Sequence, residues 1–145
     1  MHAMPKLDEH LCFALYNASR AMTGAYTEYL AALGITYPQY LVLLTLWEKD
    51  GERVSSIGRR LFLDSATLTP LLKRMEAHGL VERRRSTQDE RVVELYLTRA
   101  GQRLKRRAVD VAKSVFCKTN LALPELIELR GKLQALTENL HARGE

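Results

Sequence analysis

Residues 64–97, DSATLTPLLKRMEAHGLVERRRSTQDERVVELYL, pass from an amphipathic helix without a break into a strand, a polar arginine-rich turn and a second strand. No other stretch constrains the fold as tightly, because it reads as a recognition helix followed by a wing. Duplex DNA offers one groove wide enough for a helix and a narrower one that an extended basic hairpin can enter. Between Arg83 and Arg107 there are nine basic residues (Arg83, Arg84, Arg85, Arg91, Arg99, Arg103, Lys105, Arg106, Arg107) against three acidic ones (Asp89, Glu90, Glu94). The whole chain carries only +5, so the surplus is concentrated here. Such a concentration points to a polyanion contacted along one face. Taken alone, it is also compatible with a solvated charged surface.

At 145 residues and 46% hydrophobic content the chain can bury an ordinary core and has the size of one domain. No stretch approaches the roughly 18 apolar residues of a bilayer span, and MHAMPKLDEH lacks the apolar run of a signal peptide, so a cytoplasmic protein is expected. Two cysteines, Cys12 and Cys117, are too few and too far apart for a disulfide scaffold or a zinc site; no metal and no cofactor is expected.

Hydrophobic periodicity predicts six helices and one hairpin. Helix one covers about Asp8 to Leu33, capped by Asp8, with an apolar stripe at Leu7, Leu11, Leu15, Ala18, Met22, Ala25 and Tyr29 and a stop at Gly34. Helix two starts near Tyr37 and Pro38, and its run YLVLLTLW reads as buried all round. Helix three, SSIGRRL, can be capped by Ser55, and Asp64 caps the recognition helix, which ends at His78 and Gly79. Pro70 in its second turn predicts a bend or a loosened start. The strands are VERRR and VVELYL; helix five covers about Arg99 to Lys118, and helix six begins at Pro124.

In helix six, Leu126, Leu129, Leu133, Leu136 and Leu140 are spaced three, four, three and four apart, a heptad seam that wants a partner helix. Packing within the same chain satisfies part of it. Helix one, however, is about 40 Å long at 1.5 Å per residue, more than a small winged domain needs. Both ends therefore read as dimerisation elements, and a two-fold dimer matches two DNA half-sites about one helical turn apart. The expected architecture is mainly α with a small β-hairpin wing, one domain over 1–145. Within it, a winged helix-turn-helix lobe (36–98) lies between dimerisation helices (7–35 and 99–145).

The candidate DNA-binding residues follow from the chemistry of groove and backbone. Ser65, Thr67 and Thr69, at the front of the recognition helix, are short hydroxyl donors for base edges or phosphates; Lys73 and Arg74 lie farther along for phosphate or guanine. Thr69 can equally bond back to its own helix. Leu68, Leu71, Leu72 and Met75 read as core. At the wing tip, Asp89 stands two residues before Arg91 and can orient its guanidinium for minor-groove insertion.

The stretch LDSATLTPLLKRMEAHGLVERRRSTQDER resembles the MarR family of winged-helix repressors, and LCFALYNASR with GITYPQYLVLLTLWEKD resembles its organic-hydroperoxide-sensing branch, the OhrR proteins. The resemblance runs from Leu7 to the C-terminal helix. It implies an obligate homodimer that binds double-stranded operator DNA, represses a peroxide-resistance gene and leaves DNA when its N-terminal cysteine is oxidised by an organic hydroperoxide.

Elementary chemistry agrees with Cys12 as that sensor. It falls in the first turn or two of helix one, where unpaired amides stabilise a thiolate, the form that attacks peroxides. Without the resemblance, Cys12 also reads as a small hydrophobe on the Leu11 and Leu15 stripe. Tyr16, Tyr26 and Tyr37 resemble the phenols around this cysteine in OhrR proteins, though each alone is an ordinary aromatic. Tyr16 is one turn from Cys12 on the same face. Tyr26, about 21 Å away along a straight helix, reaches Cys12 only if the helix breaks, for instance at Gly24, or if a partner helix brings it there. Cys117 matches the resolving cysteine of one OhrR subgroup, where it implies an intersubunit disulfide to Cys12; otherwise it is an inert thiol.

Two other functions stay open. A repressor answering to a small phenolic or drug-like ligand has no need of Cys12. A thiol peroxidase leaves the basic wing unexplained, and no CxxC, metal-ligand cluster, phosphate-cradling glycine loop or nucleophile elbow is present, so an enzyme is not expected.

Overall fold

The computed structural model describes residues 3–142. A short 3-10 turn, Leu7–Glu9, precedes α1 (Leu11–Ala31) and α2 (Tyr37–Glu48). Then come β1 (Glu52–Arg53), α3 (Val54–Leu61), α4 (Ser65–Ala77), β2 (Val81–Arg85), β3 (Val93–Leu97), α5 (Arg99–Thr119) and α6 (Leu123–Ala142). The chain divides into two compact units, one ending at Ala112 and the other beginning at Lys113.

The core of the first unit is organised around α2. Thr36 accepts from the Gln39 amide (3.4 Å) while the Gln39 side chain accepts from the Thr36 amide (3.0 Å), a reciprocal cap that fixes the helix start with Pro38 in the first turn. Tyr40, Val42, Leu43 and Leu46 are buried, as the sequence led us to expect of YLVLLTLW. They share the interior with Leu30, Ile57, Leu68, Leu72, Met75, Val81 and Leu95. Burying side chains of this size contributes about 1.5–3 kcal/mol each.

The wing is built as the pattern predicts, with one addition. β2 and β3 pair antiparallel, Val81 opposite Leu97 and Arg85 opposite Val93, and Leu95 points into the core. The expected two-stranded hairpin is in fact the larger part of a three-stranded sheet of order β1-β3-β2, in which Glu52 faces Leu95 and Arg53 faces Glu94. The third strand is held by the Gly51 amide donating to the Leu95 carbonyl (3.1 Å) and the Leu97 amide donating to the Asp50 carboxylate (2.8 Å).

Two local expectations are corrected. Asp8 does not cap helix one: residues 7–9 form their own turn, and α1 starts after His10. Ser55 does not cap α3, which springs directly from β1 with Arg53 as its flanking residue. Pro70 lies inside an uninterrupted α4, and α1 likewise runs through Gly24 without a break.

The start of α5 is locked to the rest of the unit. The Thr98 hydroxyl donates to the Gly79 carbonyl (2.6 Å) and accepts from the Gly101 amide (3.1 Å). Trp47 Nε1 donates to the Gly101 carbonyl (3.0 Å). Gly101 is required there: a Cβ would sit 2.3 Å from the Leu80 carbonyl oxygen.

In the second unit, α5 is followed by Asn120, whose left-handed backbone (φ 55°) is one that asparagine tolerates. The Ala122 amide then donates to Glu125 at the start of α6 (2.8 Å). No residue of α6 is buried, and Leu129, Leu133 and Leu140 of the heptad seam are exposed. No helix among the described residues is long and apolar enough to cross a membrane.

Candidate nucleic-acid interface and thiol site

α4 presents two chemically distinct faces. Leu68, Leu71, Leu72 and Met75 are buried, while Ser65, Thr67, Thr69, Lys73 and Arg74 are all exposed. The helix start is fixed by Asp64, whose carboxylate accepts from the Thr67 amide at 2.8 Å. That bond holds the Asp64 carboxyl below the usual aspartate range. The free amides of the first turn and the exposed hydroxyls form one donor-rich end, suited to base edges and phosphate oxygens.

The wing tip is a small hydrogen-bonded frame. The Ser86 amide donates to the Val92 carbonyl (2.8 Å), the Val92 amide to the Asp89 carbonyl (2.9 Å), and Arg85 to the Glu90 carbonyl (2.9 Å). Asp89 accepts from Arg91 three times: from its amide (3.1 Å), from Nε (3.2 Å) and from a terminal guanidinium nitrogen (3.4 Å). This is the expected fork, and the guanidinium beside it lowers the Asp89 carboxyl. The Arg91 side chain is nonetheless 91% exposed, so it is oriented without being covered.

Two arginines of VERRR do something the sequence did not disclose. Arg83 donates its backbone amide (2.8 Å) and its guanidinium (3.2 Å) to Glu76 near the end of α4. Arg84 pairs with Glu82 (3.0 Å) and lies 4.5 Å over the Tyr96 ring. The local charge count took in neither Glu76 nor Glu82, so part of the counted surplus is neutralised within the lobe. The signal was present in MEAHGLVER, an acid seven residues before an arginine across a helix-to-strand turn.

Cys12 is exposed and is the second residue of α1, closer to the helix start than an Asp8 cap implied. Tyr16, one turn on, is exposed, with the Arg20 guanidinium 5.3 Å from its ring. Tyr26 and Tyr37 come together elsewhere, with ring centroids 5.3 Å apart. A third phenol that sequence reasoning missed, Tyr40, lies 5.3 Å from Tyr26 and 6.0 Å from Tyr37. Burial raises the hydroxyls of Tyr37 and Tyr40 above the ordinary tyrosine value, with Tyr26 adding to it. Along the unbroken α1, Cys12 and Tyr26 of one chain are about 21 Å apart. Cys117, near the end of α5, is an exposed free thiol in the second unit.

α2 and α5 also form an open apolar groove of about 400 Å³ lined by Tyr40, Leu44, Trp47, Ala108 and Val109, with Glu48 and Lys105 bordering it. No group of three or more histidine, cysteine or acidic side chains suited to a metal occurs among the described residues.

Residues 25–108 match the family model described as transcriptional regulator SarA/Rot. The chain is 47% identical to the organic hydroperoxide resistance transcriptional regulator of Bacillus subtilis (strain 168), covering 95% of this chain and 94% of that one. It is similar to the structure of reduced AbfR bound to DNA, with 40% identity, a TM-score of 0.80, and 96% and 95% of the two chains covered. It is also similar to disulfide-formed AbfR, with 41% identity, a TM-score of 0.68, and 90% and 92% covered. AbfR is a Staphylococcus epidermidis protein.

Proposed function

The chain belongs to the MarR family of winged-helix transcriptional regulators, in the organic hydroperoxide resistance branch, and from that premise we propose that it is a thiol-based repressor switched by organic hydroperoxide. Its reduced homodimer binds operator DNA, α4 entering the major groove and the Asp89–Arg91 wing tip the adjacent minor groove. The DNA-bound state of a relative with 40% identity supports the first part.

The observation that carries the redox part is the position of Cys12, an exposed thiol in the first turn of a helix whose apolar residues Leu11 and Met22 are also exposed. A second copy packed antiparallel on that helix covers the stripe and brings the partner's α1 start toward the tyrosine cluster, which Cys12 of the same chain does not reach. The Cys12 thiolate attacks the distal peroxide oxygen; the O–O bond breaks, an alcohol leaves and Cys12 becomes a sulfenic acid. The Cys117 thiol of the other subunit then displaces the hydroxyl, forming a disulfide and releasing water. A disulfide requires Cα atoms within about 7 Å, so bond formation moves helices at the dimer interface and shifts the wings out of register with the grooves. The disulfide-formed state of AbfR, 41% identical to this chain, supports a disulfide as the oxidised form.

A second reading is favoured by the groove between α2 and α5, whose apolar lining and two bordering charges suit a small phenolic ligand. One experiment separates the two. Operator binding by the purified protein is measured before and after stoichiometric organic hydroperoxide, then after dithiothreitol, with Cys12→Ser alongside. Loss and recovery in the wild type, with the variant indifferent to oxidant, supports the thiol switch; wild-type binding that ignores oxidant rejects it.

A further inference from the structure

We infer that Phe62, in the turn between α3 and α4, reads thymine methyl groups at the rim of the major groove. The inference rests on the DNA-binding reading above and adds a residue that neither motif nor charge singles out.

Phe62 has two features that set it apart on the helix-turn-helix lobe. Its backbone is left-handed (φ 54°, ψ 39°), a conformation suited to glycine and strained for a bulky side chain. It occupies the glycine position of a Schellman cap: the Phe62 amide donates to the Arg59 carbonyl (3.3 Å) and the Leu63 amide to the Gly58 carbonyl (2.9 Å). The other non-glycine residue with positive φ among the described residues is Asn120, whose short amide tolerates that region. Phe62 is also 60% exposed. Every other large apolar side chain that is strongly exposed lies before residue 36 or after residue 98, among the described residues. Phe62 is thus the exception on the helix-turn-helix lobe, where strain and exposure coincide.

Position supplies the ligand. Phe62 is two residues before the Asp64 cap and three before Ser65, so it lies within about 10 Å of the end of α4 that meets base edges. A phenyl ring offers no donor, acceptor or charge. The apolar group that the major groove presents is the thymine C5 methyl, which phenylalanine contacts favourably. The turn therefore contributes base readout beside the hydroxyls of Ser65 and Thr67.

The test uses the reduced full chain and a duplex that the wild type enriches from a random-sequence pool, with each thymine replaced in turn by deoxyuridine. In the wild type, uracil at one position of each half-site weakens binding roughly five- to tenfold, the scale of a single good apolar contact. Phe62→Gly, which relieves the backbone strain, melts no lower than wild type, binds the thymine duplex more weakly by the same factor, and no longer distinguishes uracil. Its salt dependence is unchanged, since no phosphate contact is lost. Phe62→Gly binding like wild type overturns the inference, as does a wild type blind to every uracil. The uracil scan needs no variant, so a folding defect does not obscure it. If no duplex is enriched, the DNA-binding reading fails and takes this inference with it.

Discussion

The Glu76 carboxylate accepts hydrogen bonds from both the backbone amide and the guanidinium of Arg83, at 2.8 and 3.2 Å. The bond joins the end of α4 to the start of the wing, two elements assigned to different grooves. A helix and a hairpin that enter one duplex together need a fixed mutual angle, and this charged contact spans them. The Arg83 amide keeps Glu76 below the usual glutamate range, so the clamp is charged at neutral pH.

Glu76→Ala is therefore expected to weaken specific operator binding roughly tenfold while non-specific DNA binding is unchanged or rises, because an acid has been removed from beside a basic lobe. Glu76→Gln recovers part of the loss, since its amide oxygen still accepts from the Arg83 backbone. Fluorescence anisotropy on selected and scrambled duplexes checks both; an equal loss on the two duplexes contradicts a role in setting the angle.

Asp64 gives a pH dependence whose sign is fixed. Its carboxyl is lower in the folded chain than when unfolded, because the Thr67 amide donates to the ionised form. The stabilisation is complete above the ordinary aspartate value and is lost as pH falls through the folded one. Thermal melts taken downward from about pH 6 to pH 3 should show a fall in stability below about pH 4 that is shallower in Asp64→Asn, which keeps an acceptor without a titrating proton. Identical slopes would remove Asp64 from the account.

What the sequence disclosed was local. The Asp64 cap, the Asp89–Arg91 fork and the buried spacing of Leu68, Leu72 and Met75 each depend on residues two to seven positions apart, and all three are present. β1 was not legible, because Glu52 and Arg53 are too short a run to show alternation and their partner strand lies some forty residues later. Tyr40 was hidden inside a uniformly apolar run, although its spacing of three from Tyr37 carried the signal. Cap assignments at Asp8 and Ser55 failed for a related reason: a neighbouring turn or strand claimed the backbone first. Phe62 was invisible, since nothing in RLFLD announces a left-handed backbone.

Gly101→Ala tests how firmly α5 is seated. The added methyl would overlap the Leu80 carbonyl oxygen, a backbone atom that moves only if β2 or the helix start moves with it. Expected destabilisation is about 1–3 kcal/mol, with loss of the Trp47 bond to the Gly101 carbonyl reported by a red-shifted tryptophan emission. An unaltered melting temperature and emission maximum would mean that the contact relaxes freely.

Cys117→Ser tests whether release depends on the disulfide. If Cys117 serves as the resolving thiol, its removal leaves the first oxidation intact but strands Cys12 as a sulfenic acid with no thiol to condense with. One equivalent of organic hydroperoxide then gives the variant no intersubunit disulfide on a non-reducing gel, whereas the wild type runs as a covalent dimer. Excess hydroperoxide carries the stranded sulfenic acid on to sulfinic acid, which dithiothreitol does not reduce. On the mechanism above, the wild type releases its operator on oxidation and regains it with dithiothreitol, whereas the variant, unable to form the disulfide, stays on its operator throughout, and mass spectrometry finds two added oxygen atoms on its Cys12. A variant that still forms a covalent dimer, or leaves its operator on oxidation as the wild type does, assigns Cys117 no part in release.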